Sequence, residues 1–294
     1  MSPAWADRAA AMSHPHRIVD AHIHLWDPTV LAYPWLKADA TLRRPFLPVD
    51  LQRSGGPAEW VMVQAEALPE QSLGEVEWVS GLAVSEPALR GMVVRAPVEI
   101  GRAVRDLVER LAATPLAVGV RRLIQDEVAG FALTAGFIDG VRVVGDVGLP
   151  FDICVRALER PDVAPLVDAC PDVSFVLDHL GKPAIADGEW EPWRSQLTEL
   201  AQRPNLTCKL SGSTTEASRE WRESAVRPYL MHALDTFGPQ RCMFGSDWPV
   251  ASLTTDYQRW FDLVSDAVSG CSQADVDAVF AGTAARVYGL PARP

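Results

Sequence analysis

Eight short apolar runs recur along the 294 residues, most of them separated by stretches with helical spacing. The runs that read as strands are 17–26, 59–66, 91–98, 117–124, 150–155, 173–180, 205–211 and 242–247. Several are rich in Val, Ile and Phe with little alternation, as expected of parallel strands covered on both faces. Apolar residues at helical spacing fill 73–85, 100–113, 189–202, 223–237, 256–268 and 273–287. A parallel strand is reached only through a crossover, so this alternation predicts an α/β fold, a (β/α)8 TIM barrel in length and period. An open doubly wound sheet has the same local signature, but its Gly-rich strand-to-helix fingerprint is missing. No low-complexity linker divides the chain. One barrel domain is expected over 17–294, after a loose N-terminal arm at 1–16, with the Pro-containing stretch 27–48 as loop.

With 27 basic and 38 acidic side chains the net charge is −11, which argues against a nucleic-acid or anionic-membrane partner. No apolar run approaches the ~18 residues of a membrane span. The first sixteen residues lack the basic start and apolar stretch of a signal peptide. A cytoplasmic protein is the expectation. Cys154, Cys170, Cys208, Cys242 and Cys271 are odd in number and contain no CxxC pair. They read as packed thiols rather than a disulfide framework or a cysteine zinc site.

Three constellations stand out. In Asp20-Ala21-His22-Ile23-His24, strand alternation points His22 and His24 to one face, where two imidazoles reach one point as metal ligands or paired donors. A pair of solvent-facing or core histidines has the same pattern. Phe244-Gly245-Ser246-Asp247-Trp248-Pro249 ends the last strand with a carboxylate where barrel enzymes place catalytic groups, although Asp247 could also cap a helix. Asp178-His179-Leu180-Gly181-Lys182-Pro183 closes a third strand. In a barrel these strand ends share one rim, so the three together weigh more than each alone.

DAHIHLWDP, YPWL, VMVQAE, GVRRLIQ, DHLGKP, KLSG, FGSDWP and GTAARVYGL, in that order, resemble the amidohydrolase superfamily over nearly the whole chain. Within it the sequence is similar to the amidohydrolase-2 branch, near the sugar-lactone hydrolases (L-fuconolactonase and L-rhamnonolactonase types) and the pyrone-dicarboxylate lactonases. The resemblance implies a TIM barrel, the first-strand ligand pair at His22 and His24, a later-strand histidine at His179 and the catalytic carboxylate at Asp247. The fifth strand has no His and the fourth no bridging Lys or Glu, so two metals are not expected. One divalent ion, Zn or Mn, on His22, His24 and Asp247, with His179 or Glu66 as a further ligand, is one expectation. The other is a metal-independent site, in which the histidines act on the carbonyl directly.

The implied reaction is hydrolysis of a sugar-acid lactone, a small-molecule substrate, to the open-chain acid. Asp247 would activate water, and His22, His24 and His179 would polarise the carbonyl. Arg121 and Arg122 end the fourth strand; the GVR match turns Arg121 inward, onto a carboxylate or hydroxyl pair, whereas a surface arginine would pair with Asp126 or Glu127. Lys182 and Lys209 are basic strand-end candidates for substrate hydroxyls. Of ten tryptophans, Trp26, Trp35 and Trp248 lie near the expected rim, where indoles could pack on a sugar ring. Gln64 and Glu66 share a face at the end of the second strand. A metal-dependent decarboxylase or hydratase of the same branch is the alternative, and a catalytically idle ligand-binding barrel a third. The oligomeric state, monomer or homo-oligomer, is left open.

Overall fold

The computed structural model describes residues 15–292. Most of the expected arm, residues 1–14, therefore lies outside the described residues; His16, at its end, bonds Asp277 through both its amide (2.9 Å) and its ring (2.7 Å). Eight parallel strands follow one another in chain order: β1 (Asp20–Ile23), β2 (Trp60–Val63), β3 (Leu89–Arg95), β4 (Ala117–Arg121), β5 (Phe151–Ile153), β6 (Phe175–Leu177), β7 (Leu206–Leu210) and β8 (Cys242–Phe244). The sheet closes where Asp247 N–H donates to His22 O (2.9 Å) and His24 N–H to Trp248 O (2.7 Å). The fold is a TIM barrel. Each strand is shorter than its apolar run because the ends of the runs turn into rim loops.

Three α-helices are absent from the sequence reading, the first of them the six-residue Pro48–Arg53. Ala135–Asp146 carries three glycines that break the apolar pattern, and Val163–Ala169 is short with a proline inside. The 100–113 pattern divides into a 3-10 stretch, Val98–Val104, and the helix Arg105–Ala112. The 273–287 pattern carries a π segment, Ala278–Gly282, in its middle, where Phe280 O is taken by Val19 N–H (2.8 Å).

Apolar packing fills two layers. Trp60, Met62, Met92 and Val94 belong to the large cluster between strands and helices. Val19, Ala21, Val61, Val63, Val93, Val176 and Met243 fill the lower barrel with Ala281, Ala284, Tyr288 and Leu290 of the C-terminal segment, which plugs the N-terminal end. The opposite end, where the strands finish, is left for polar groups. Among the described residues no helix is long and apolar enough to cross a membrane.

Candidate active site

The histidine pair depends on an irregularity in β1. Asp20 is in register with Trp60 but Ile23 with Met62, so three steps along β1 match two along β2. This bulge puts His22 inside the barrel directly after inward-facing Ala21. The fully buried Asp20 carboxylate holds it, accepting the amides of His22 (3.0 Å) and Ser246 (2.9 Å). Gly245 packs on the other side: a Cβ there would stand 2.8 Å from that of His22.

His22 Nε2 and His24 Nε2 are 3.1 Å apart and lie 3.8 and 3.5 Å from Asp247 Oδ1. His24 Nδ1 meets Val63 O at 2.8 Å, so it carries the proton and leaves Nε2 with a lone pair. The Asp178 carboxylate, 3.3 Å from His22 Nδ1, favours the same tautomer there. Two imidazole lone pairs facing each other beside a carboxylate call for a cation, either a proton or a metal ion, between them. Donors on a tetrahedral ion stand about 3.3–3.4 Å apart, and the three separations bracket that value. His179 belongs to the same cluster: His22, His179 and Asp247 each bring one ligand atom within 4.8 Å of the others. The donor set therefore fits one divalent ion. Glu66 stands apart from this cluster, its carboxylate bonded to Gln64 Nε2 (2.5 Å).

Beneath His22 runs a buried ionic chain. Lys209 Nζ lies 2.6 Å from Asp152, 3.1 Å from Asp178 and 3.4 Å from His22 Nδ1. The other Asp178 oxygen accepts from Arg121 Nη1 (3.1 Å), and Arg121 Nη2 donates to Gln64 O (2.8 Å). Burial opposes ionisation of Asp178, yet Lys209 and the imidazoles hold its carboxyl well below the usual range. Asp247 is likewise held low: burial pushes it up, but His179, His24 and Lys182 outweigh that. Burial drives the His22 and His179 imidazoles the other way, well below their ordinary value. A buried carboxylate thus faces neutral imidazoles.

Above these groups opens a cavity of about 610 Å³. His24, His179, Asp247, Arg121, Lys182, Trp35 and Glu66 line it, all expected at the site. Trp26 and Trp248 are buried off its wall, their indole N–H groups committed to Leu42 O and Arg44 O (both 3.0 Å) and to Ser54 Oγ (3.2 Å). Gln64 is buried behind Glu66, and Lys209 is enclosed in the ionic chain. Arg122 points outward onto Glu99 (3.0 Å) and Glu127 (2.6 Å), leaving Arg121 as the inward arginine.

Arg95, Gln125, Asp126, Cys154, Arg156 and Glu216 also line the cavity and were not anticipated there. Arg95 carried a signal. It ends an apolar strand as Arg121 does, and the two are register partners. Burial pushes the Cys154 thiol up to about 11, which keeps it protonated. Of the six described non-glycine residues at positive φ, five line the cavity: Glu66, Asp126, His179, Lys182 and Asp247. Backbone strain is concentrated where side chains must be aimed.

The amidohydrolase family model matches residues 19–290, and the chain belongs to that family. Among similar proteins is the L-fucono-1,5-lactonase of Burkholderia multivorans (strain ATCC 17616 / 249), 36% identical over 93% of this chain and 96% of its own. The L-fucono-1,5-lactonase of Burkholderia ambifaria is 30% identical over 92% and 94%. The crystal structure of an amidohydrolase from Burkholderia multivorans with bound zinc superposes with a TM-score of 0.83 at 34% identity, covering 94% of this chain and all of that one.

Proposed function

We propose that this amidohydrolase opens a sugar-acid lactone, of the L-fucono or L-rhamnono type, to the free acid. The observation that carries the reading is the Asp247 carboxylate, 3.5 Å from His24 Nε2 on the wall of a cavity large enough for a sugar ring. The similarity to two L-fucono-1,5-lactonases supports the substrate class.

Asp247 accepts the proton of the attacking water and returns it to the ring oxygen as the C–O bond breaks. His179 flanks the site where the carbonyl oxygen gains charge, and a cation held between the facing Nε2 atoms of His22 and His24 would offset that charge from the other side. His179 is aimed by Ser211, whose Oγ is 2.9 Å from Nδ1, leaving Nε2 free for substrate. A divalent ion, zinc or manganese, held by His22, His24 and Asp247 with His179 beside them, would polarise the carbonyl and acidify the water. Arg121, Lys182 and Glu66 contact ring hydroxyls, and Trp35 offers its indole face to the C–H side of the ring.

A pH-indicator assay over aldono-1,4- and 1,5-lactones, on as-purified and chelator-stripped protein, tests this reading. Acid release is expected, and Asp247→Asn should lower turnover by roughly 10²-fold or more with the fold intact. Loss of activity on stripping, restored by one equivalent of ion, assigns a mononuclear metal; survival assigns direct action of the histidines. No release from any lactone overturns the reading.

A further inference from the structure

Four cations line the cavity, and each has a carboxylate within 4.0 Å. Arg121 faces Asp178 (3.1 Å), Arg95 faces Glu66 (3.8 Å), Arg156 faces Asp126 (3.3 Å), and Lys182 faces Glu216 (3.7 Å). Glu216 does more than pair once. Its Oε1 is turned to Lys182 and its Oε2 to Arg156 Nη1 (3.4 Å), so two cations share one carboxylate. Glu216 and Lys182 side chains are each only 13% exposed, so water screens the pair weakly. Position is fixed as well as charge. Glu216 O accepts the amide of Ala186 (2.9 Å), which ties the loop after β7 to the loop after β6 that presents Lys182. Lys182 Nζ also donates to Gln125 Oε1 (2.6 Å).

We infer that Glu216 is a specificity-determining residue that makes the site select uncharged polyhydroxylated lactones over lactones bearing a carboxylate. The inference rests on the lactonase reading and narrows its substrate class. A sugar hydroxyl can accept from Lys182 and donate to Glu216, using both of its hydrogen-bonding valences. A carboxylate at the same place can only accept. It must displace Glu216 from its cations or sit beside it, a like-charge contact in a poorly screened pocket.

The test compares kcat/KM for a hexono-1,5-lactone with that for the matching lactone carrying a carboxylate at C6. In parallel, calorimetry compares the binding of galactitol and galactarate. Glu216→Gln keeps the shape, frees Lys182 of its carboxylate and leaves Arg156 with Asp126 alone, so the carboxylate-to-neutral ratio should rise ~10-fold or more in both assays, the gain of a charge-assisted contact. Lys182→Met leaves Glu216 in place with one cation fewer and should move the ratio the other way, which keeps the test available if Glu216→Gln does not fold. A ratio unmoved in both variants overturns the inference, as does a fall in Glu216→Gln. Should neither lactone be turned over while the galactarate ratio still rises, the charge-pairing inference stands and the lactonase reading fails.

Discussion

Glu75 is fully buried behind the cavity wall, where its Oε1 accepts from Ala65 N–H (3.0 Å) and from the Tyr33 hydroxyl (3.4 Å). Ala65 O in turn accepts the Trp35 indole N–H (2.7 Å), so this carboxyl helps to hold the tryptophan on the wall. Burial pushes Glu75 up from 4.5 to about 7. A carboxyl raised in the folded state stabilises the protein fully below its unfolded value, and that contribution is lost as pH rises through about 7. The difference of about 2.5 units corresponds to on the order of 3 kcal/mol. The melting temperature should therefore fall between pH 5 and pH 8, and Glu75→Gln should flatten that slope. Parallel profiles for the two proteins would mean that Glu75 is ionised in the folded state. Nothing in the helical pattern of 73–85 marked this residue, because its importance comes from a peptide ten positions earlier.

Strand ends supply nearly all the chemistry, and here the sequence was most legible. His22, His24, Arg121, His179 and Asp247 could be assigned to one rim once eight strands had been counted. The phase of β1 could not. Strict alternation would turn His22 away from the interior that Ala21 faces, and only the bulge held by Asp20 brings both inside. Turns matter as much as strands. Gly212, just after β7, adopts φ +60°, and a Cβ there would come within 2.3 Å of His179 Nδ1. Gly212→Ala should cost about 1–2 kcal/mol for the left-handed backbone alone. By pushing the imidazole off Ser211 it should also lower kcat more than it raises KM. A variant with native turnover would show that His179 needs no such tight seat.

The whole molecule works as a barrel with one end closed by its own C-terminal segment, whose tip reaches the chemistry from below. The Tyr288 hydroxyl donates to Asp152 Oδ2 (2.7 Å), which holds Lys209, which in turn adjoins His22. Tyr288→Phe leaves a buried carboxylate one donor short and should destabilise the protein by about 1–3 kcal/mol in urea unfolding. An unchanged midpoint would mean that Asp152 is satisfied without it. The amino-acid sequence by itself determined the repeating architecture and the residue types at the strand ends, since both follow from local apolar periodicity and from which side chains can act as acids, bases or ligands. Strand register and loop packing decided the rest. Only they could put Arg95 beside Arg121, send Trp35 to the cavity while Trp26 and Trp248 are spent on other contacts, and seat Glu216 between Lys182 and Arg156. Those arrangements join segments distant in the chain, and no local pattern carries the distances between them.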